Sequence, residues 1–259
     1  MNWLSDVYGI YLGGNQERCK TKHMTIIGRA LDVDGGDLPL EVWGLENDRR
    51  RLPTTGINLQ LSSTNDGDIG IPIFIKGLDG NGEFAEEVVL CKGQNASLSS
   101  QNVFSYIYDA INVGTIPLQG DIYVTGFGDT LNGNGTPSNI NDTATFIRQE
   151  DNRSFDGFFK VPSNAKACFV LQNGVSVSRT SGITDRHIDV DLMTVPIVGQ
   201  VPISYIQYTA SLMGMQEVFV NPVIPIKISA NHELYYKVIR TSANNTIAET
   251  FLEVFIVLE

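Results

Sequence analysis

Hydrophobic and polar residues alternate on both sides of a glycine-rich turn in residues 70–91. Isoleucines stand at every second position before the turn, and an apolar Val-Val-Leu run follows two glutamates after it. Alternation with a period of two is typical of a β-strand that buries one face. The intervening Asp79–Gly82 run consists of residues that suit a tight chain reversal. The stretch therefore predicts a β-hairpin.

Short apolar or alternating segments recur from Gly56 to the C-terminus, and turn residues separate nearly every pair. The candidate strands are Ile57–Leu61, Ile71–Ile75, Glu87–Cys91, Phe104–Tyr108, Asp121–Val124, Phe158–Val161, Ala167–Leu171, His187–Val190, Ser204–Thr209, Val218–Val220, Ile224–Ile228, Leu234–Arg240 and Thr250–Leu258. So many short strands without alternating helices predict an all-β fold, an antiparallel β-sandwich or jelly-roll-like body. Tyr205–Met215 alone also suits a short helix. The apolar final strand is expected to pair inside a sheet.

Residues 1–55 differ from the rest of the chain in their composition and pattern. They contain glycines, prolines and only short β-like pieces such as Met24–Ile27. We expect an irregular N-terminal arm or docking segment over residues 1–55, followed by a β-sandwich body over residues 56–259. The polar interval 126–141 predicts a long surface loop. It is also the place where the body would divide if it contained two β-lobes.

Large aromatic side chains in the N-terminal segment need a surface to cover them. Trp3, Tyr8, Tyr11 and Trp43 are therefore the interface candidates, and they bury either against their own domain or against a neighbouring subunit. The same rings are able to stack on sugars, which makes a carbohydrate-binding module an alternative of another class.

The charge of the chain narrows the range of partners. With 259 residues and a formal net charge of −11, the protein is expected to bind neither nucleic acid nor an anionic membrane surface.

Its N-terminus lacks the pattern of a signal peptide, which predicts folding in a cytoplasm. Three widely spaced cysteines predict free thiols rather than disulfides. The basic run Arg49–Arg51 is interpreted as a solvated or locally paired turn, with contact to an acidic partner as the alternative.

Few residues of the sequence are candidates for catalysis or metal binding. The three histidines stand outside any recognisable nucleophile, phosphate-binding, dinucleotide or zinc-protease motif, which predicts a protein that is not an enzyme and needs no cofactor. The best metal candidate is a strand that would place Asp185, His187, Asp189 and Asp191 on one face. The competing interpretation, which we prefer, is the solvent face of an edge strand.

Two acidic turns superficially resemble calcium loops. These are Asp32–Asp37 and Asp79–Glu83. The second is better explained as the hairpin turn, because Phe84 occupies the position at which the calcium loop requires glycine. The first suits an Asx-type turn, with a calcium-bound turn as the weaker alternative.

Five stretches together resemble a family of virion structural proteins of tailed bacteriophages, including marine phages. They are GRALDVDGGDLPLEVWG at 28–44, the Gly-Leu-Asp hairpin module at 59–110, GDIYVTG at 120–126, FFKVPSNAKACFVL at 158–171 and TSANNTIAETFLEVFIVLE at 241–259. Each motif is weak alone, whereas their order along the chain is moderately specific.

The resemblance implies a non-enzymatic component of a virus particle that is made in the host cytoplasm. Its partners would be other capsid or tail subunits, and it would form a homo-oligomer, with a trimer as the order that the family suggests. We expect a head decoration or cement protein, with a tail, baseplate or fibre component as the alternative. The segment from Trp3 to Tyr11 has no counterpart in the family pattern.

Overall fold

The computed structural model describes residues 20–95, 99–179, 187–196, 205–214, 216–222 and 225–259. These residues form 17 β-strands and two single-turn 3-10 helices, Asp66–Asp68 and Ile140–Asp142. The strands are β1 Thr21–Val33, β2 Leu40–Glu41, β3 Ile57–Ser63, β4 Pro72–Leu78, β5 Phe84–Leu90, β6 Val103–Phe104, β7 Tyr106–Asn112, β8 Ile122–Gly126, β9 Thr143–Ile147, β10 Phe158–Lys160, β11 Ala165–Arg179, β12 His187–Pro196, β13 Tyr205–Met213, β14 Gln216–Val220, β15 Ile226–Ile228, β16 His232–Thr241 and β17 Thr246–Leu258.

Two five-stranded antiparallel sheets form what we call the large lobe. The first has the order β1-β17-β11-β14, with β15 also paired to β11, and the second has the order β10-β16-β12-β13, with β2 paired to β16. The facing sides share one apolar core, as expected for sheets that pack on each other. Its buried residues include Met24, Ile26, Val170, Val175, Ile188, Val190, Leu192, Leu234, Val238, Leu252, Val254 and Ile256.

Two smaller antiparallel sheets form the small lobe, which is inserted into the chain between β2 and β10. Their orders are β6-β3-β8-β9 and β5-β4-β7. A separate core lies between them and includes Leu59, Leu61, Ile73, Ile75, Val89, Phe104, Ile107, Ala110, Ile122, Val124, Ala144 and Ile147. The all-β, antiparallel, sandwich-like prediction is confirmed, since the strands of the described residues pair in antiparallel fashion throughout.

The predicted hairpin of residues 70–91 is present as β4 and β5, paired from Pro72↔Leu90 to Leu78↔Phe84. In the turn, Asp79 Oδ1 accepts hydrogen bonds from the backbone N–H groups of Asn81 (2.8 Å) and Glu83 (3.0 Å). Gly82 has a φ of 77°, a conformation that glycine adopts without a steric penalty. The turn residues and the alternation of apolar and polar positions therefore both stabilise the β4–β5 hairpin.

The expectation of a weakly structured segment up to residue 55 was wrong for its described part. β1 runs for 13 residues and pairs with β17 from Thr21↔Val257 to Val33↔Thr246. The large lobe therefore begins at β1, well before residue 56. Among the described residues up to 55, the glycines and prolines other than Gly28 lie beyond β1, in the link to the small lobe. Residues 1–19 lie outside the described residues.

The polar interval 126–141 does not separate two lobes. It connects β8 to β9, which are neighbours in one sheet of the small lobe. The real division is set by the two links on either side of the small lobe, which run from β2 to β3 and from β9 to β10. A long polar loop can join adjacent strands as readily as it can join domains, so its composition does not distinguish these cases.

Two strands differ from the sequence prediction in part. Tyr205–Met215 also suits a short helix by sequence, but Tyr205–Met213 is β13, which agrees with the candidate strand Ser204–Thr209 and pairs with β12 from His187↔Met213 to Thr194↔Tyr205. Conversely, β9 was not predicted, although all five of its residues are buried. At β13, pairing with β12 decides between strand and helix, whereas the Thr, Phe and Ile residues of β9 favour a strand by themselves.

Candidate functional site

The predicted metal strand has a different setting from the one expected. β12 lies between β16 and β13, so it is an interior strand and not the edge strand of our preferred interpretation. His187 Nε2 lies 3.3 Å from Asp189 Oδ1, while Asp191 accepts a hydrogen bond from Thr209 Oγ1 at 2.7 Å. Asp185 lies outside the described residues. Cross-strand hydroxyl donors therefore explain the described carboxylates without a cation.

Hydrogen bonds connect the acidic turn after β1 to the turn between β16 and β17. The Gly35 N–H donates to Asn244 Oδ1 at 3.1 Å, and the Asn245 N–H donates to Asp34 Oδ1 at 2.9 Å. Partial burial and the nearby carboxylates of the turn raise the pKa of Glu46. Within the described ranges, no group of three or more His, Cys, Asp or Glu side chains is arranged to hold a metal ion.

The four aromatic interface candidates separate into two sets. The Trp43 side chain is fully buried, and its Nε1–H donates to the Asn47 carbonyl at 2.6 Å. This places it in the core of its own lobe, which rules it out as an exposed docking or sugar-stacking residue. Trp3, Tyr8 and Tyr11 lie outside the described residues, so their role stays a prediction.

The most unusual described feature is a buried ionic cluster where the two lobes meet. Arg49, in the link after β2, is 5% exposed, and its Nε donates to the Ala144 carbonyl at 2.6 Å. Its Nη2 donates to the Ile107 carbonyl and lies 3.9 Å from Asp156 Oδ2. Arg49 therefore contacts β7 and β9 of the small lobe together with the second link. A buried guanidinium in this position fixes the lobes to each other as long as its partners remain.

Arg51 extends the cluster into the large lobe. Its Nη2 lies 2.7 Å from Glu41 Oε1, and its Nε lies 3.3 Å from Glu233 Oε2. Both carboxylates are buried. The Phe158 ring lies near both guanidinium groups, with its centroid 4.9 Å from Arg49 Cζ and 5.0 Å from Arg51 Cζ. Cation–π contact adds to ion pairing where the charges are desolvated.

The structure corrects our interpretation of the Arg49–Arg51 run. Arg50 pairs with Asp129, so each of the three arginines has an acidic partner within the chain. Pairing within the chain agrees with that interpretation, but the expected solvated turn is wrong for Arg49, which is buried between the lobes. In the sequence the triplet follows Glu46 and Asp48, but the carboxylates that it contacts in the fold are those of Glu41, Asp129, Asp156 and Glu233. The acidic-partner alternative is not needed to explain these residues.

Aromatic rings complete the junction between the lobes. Tyr108 of β7 stacks on Phe159 of β10 with ring centroids 5.5 Å apart, and it packs edge-on against Tyr106 at 5.3 Å. The Tyr108 hydroxyl donates to the Lys160 carbonyl. This contact links the small lobe to the large lobe through buried surface, which is characteristic of an interface that does not open freely.

The buried carboxyl of Asp156 lies at the junction and has a raised pKa. Burial raises the pKa of its carboxyl to about 6 from an ordinary value of 3.8, while Arg49 and the hydroxyl of Thr145 oppose the shift. Asp109 faces the same region and adds to the increase. Burial also raises the pKa of Asp109, although Arg153 lies 2.8 Å away and favours its charged form.

We expect an Asp156→Asn variant to gain stability relative to the natural protein as the pH rises. The folded-state pKa of Asp156 lies above its unfolded value, so this group's stabilising contribution is complete below about pH 4 and is lost as the pH rises through about 6. The difference is on the order of 3 kcal/mol. Urea unfolding of both proteins between pH 4 and 7 measures it. Parallel stability curves would show that Asp156 titrates normally.

Exposed apolar side chains mark the ends of the sheets. Val88 and Leu90 on β5, the terminal strand of its sheet, are 54% and 49% exposed. Ile206 on β13, also a terminal strand, is 59% exposed. Ile69 and Ile116 are exposed and line one open groove of the small lobe. Apolar side chains on terminal strands are suited to contact with another protein surface.

Comparison with known proteins assigns no relative. Among the described residues, no helix has the length and apolar character needed to cross a membrane. No model of a known protein family matches the chain, and no curated protein matches it.

Proposed function

We propose that the chain is a non-enzymatic structural subunit of a tailed-bacteriophage virion, with head decoration or cement as its role. The order of the motifs along the sequence supports the phage assignment, and the two-lobed β fold suits a subunit that acts through its surfaces. The observation that carries the assembly role is the exposure of Val88, Leu90 and Ile206 on terminal strands. Many modest contacts of this kind hold a symmetric particle together by avidity.

The surroundings of the histidines support a structural role over a catalytic one. His23 Nε2 lies 2.6 Å from Glu253 Oε1, and His232 Nδ1 lies 3.0 Å from the Ala230 carbonyl. His187 contacts Asp189 on the same strand. None of these described ring contacts includes a serine or cysteine nucleophile, which a hydrolase of the Ser-His or Cys-His type requires.

The buried ionic cluster also suits a structural role. It is placed at the junction of the lobes, where it resists their separation, and not in an open cleft that a substrate enters. Asp156 and Arg49 are each at most 5% exposed. In a particle component, such a junction keeps the surfaces of both lobes in a constant relative orientation.

Copy number in purified virions tests the placement within the particle. We expect quantitative mass spectrometry to find hundreds of copies per virion, counted against the major capsid protein and the portal. A count from about six to a few dozen would instead assign the chain to the neck, tail, baseplate or fibres. Absence from virions would contradict the proposed function and favour the carbohydrate-binding alternative.

A further inference from the structure

The outer face of the first sheet of the large lobe carries apolar side chains across four adjacent strands. The register pairs Ile27 of β1 with Phe251 of β17, Phe251 with Gly174 of β11, and Gly174 with Phe219 of β14. Residues directly opposite each other in antiparallel strands project from the same face. We call Ile27, Phe251, Gly174 and Phe219 the apolar row.

The apolar row is open to solvent although it crosses the middle of a sheet. Phe219 is 51% exposed and Ile27 is 36% exposed, while their neighbours on the inner face form the buried core. The Phe219 and Phe251 rings meet edge to face, with centroids 5.8 Å apart. Exposed aromatic rings of this kind are more typical of a binding surface than of isolated surface residues.

Gly174 shapes the surface between the rings. A Cβ atom at this position would lie 2.5 Å from Phe219 Cδ1, so any larger residue would displace the ring. The glycine thereby lets Phe219 lie across the sheet and leaves an open groove lined by the apolar row, Val175 and Ser176. Such a groove accepts a protruding side chain better than a flat surface does.

Acidic side chains border one side of the groove. In the next row, Ser176 is paired with Glu249 on one side and Glu217 on the other, and both glutamates are exposed. The Ser176 hydroxyl donates to Glu249 Oε2 at 3.2 Å. Within the described part of the chain, neither glutamate has a Lys, Arg or His partner within 4.0 Å. Arg29 of β1 stands opposite Glu249 in the same row but is paired with Asp151, so the two glutamates give this part of the border its negative charge.

We propose that the apolar row, Glu217 and Glu249 form a docking site for a polypeptide segment of another protein that presents an apolar side chain beside Lys or Arg. This proposal names the kind of partner for the assembly role and rests on the proposed function. Symmetric pairing with a second copy is disfavoured, because it would bring the glutamates of two chains, each with a net charge of −11, close together. The same charge repels an anionic membrane.

Two synthetic peptides test the chemistry of the site. They share one apolar core, which lysines flank in the first peptide and glutamates flank in the second, and each is titrated into the isotope-labelled full chain by NMR. We expect the basic peptide to shift the amide signals of Gly174 and Phe219, and the acidic peptide to leave them unchanged. Equal binding of both peptides, or shifts only elsewhere, would overturn the proposal.

Matched variants test the residues. Phe219→Ser is expected to weaken binding of the basic peptide at least about tenfold, because it removes one wall of the groove. Phe127→Ser is the control, since Phe127 is 49% exposed but lies in the small lobe. Glu217→Lys is expected to weaken binding as well, with Glu150→Lys as its control. Equal affinities of Phe219→Ser and Phe127→Ser would remove the apolar row from the site.

Virion composition separates this proposal from the proposed function. If the natural chain is present in virions, and if Phe219→Ser lowers its copy number while Phe127→Ser does not, the docking site and the assembly role are both supported. If Phe219→Ser and Phe127→Ser are incorporated equally, the docking site is overturned while the assembly role stands. If the natural chain is absent from virions, the assembly role fails, and the peptide titration still decides whether the groove binds basic segments.

Discussion

Replacement of Arg49 by methionine is expected to lower the free energy of unfolding by about 3 to 5 kcal/mol. The substitution keeps much of the side-chain volume but removes the donors to the Ala144 and Ile107 carbonyls. It also leaves Asp156 buried without its nearest cation. Uncompensated buried charge and unpaired carbonyl groups are among the costliest changes in a protein core. Urea unfolding at pH 7 measures the loss.

Arg240→Met is the control for this experiment, because the Arg240 side chain is 70% exposed and lies 4.0 Å from Asp189. Exposed ion pairs contribute at most about 1 kcal/mol, so little change is expected. Adding Asp156→Asn to Arg49→Met removes the orphaned charge and should recover part of the loss. A loss below about 1 kcal/mol for Arg49→Met would show that the cluster does not hold the lobes together.

Replacement of Trp43 by alanine is expected to lower the free energy of unfolding by about 3 to 5 kcal/mol. Trp43 is among the largest fully buried side chains, and its removal leaves a cavity beside the junction of the lobes. The indole N–H bond to the Asn47 carbonyl is lost as well. Thermal and urea unfolding of the purified variant measure the effect.

Phe127→Ala provides the comparison for Trp43, since it truncates an aromatic side chain that is half exposed. It should change stability by less than about 1 kcal/mol. Normal stability of Trp43→Ala combined with loss of particle incorporation would return Trp43 to the role of a docking residue. From the structure we expect Trp43→Ala to lower the stability of the fold, and any loss of particle incorporation to follow from that lower stability.

Local patterns explain how much of the fold was predictable. The β4–β5 hairpin followed from period-two alternation and a turn whose Asp79 side chain caps the reversal. The final strand was expected to pair inside a sheet, and β17 does so with β1 and β11. Each of these features depends on residues that are close in sequence or on the need to bury an apolar strand.

Pairing between residues that are far apart in sequence explains which features of the fold could not be predicted. Ile26 pairs with Leu252 across almost the whole chain, and no local pattern reveals that the small lobe is inserted between these strands. The same holds for Arg51, whose partner Glu233 is 182 positions away. The sequence showed a basic triplet, but its burial depends on two lobes meeting around it. The apolar row was likewise visible only after the register brought Ile27, Phe251 and Phe219 together.

Cryo-electron microscopy of purified virions tests the assembly role most directly, because it locates the chain among its neighbours. We expect two-lobed β density at repeated positions on the head, with the first sheet of the large lobe turned toward an adjacent protein. Lysine or arginine side chains of that neighbour should lie beside Glu217 and Glu249. Virions that contain no such density on the head, neck, tail or fibres would contradict the assembly role.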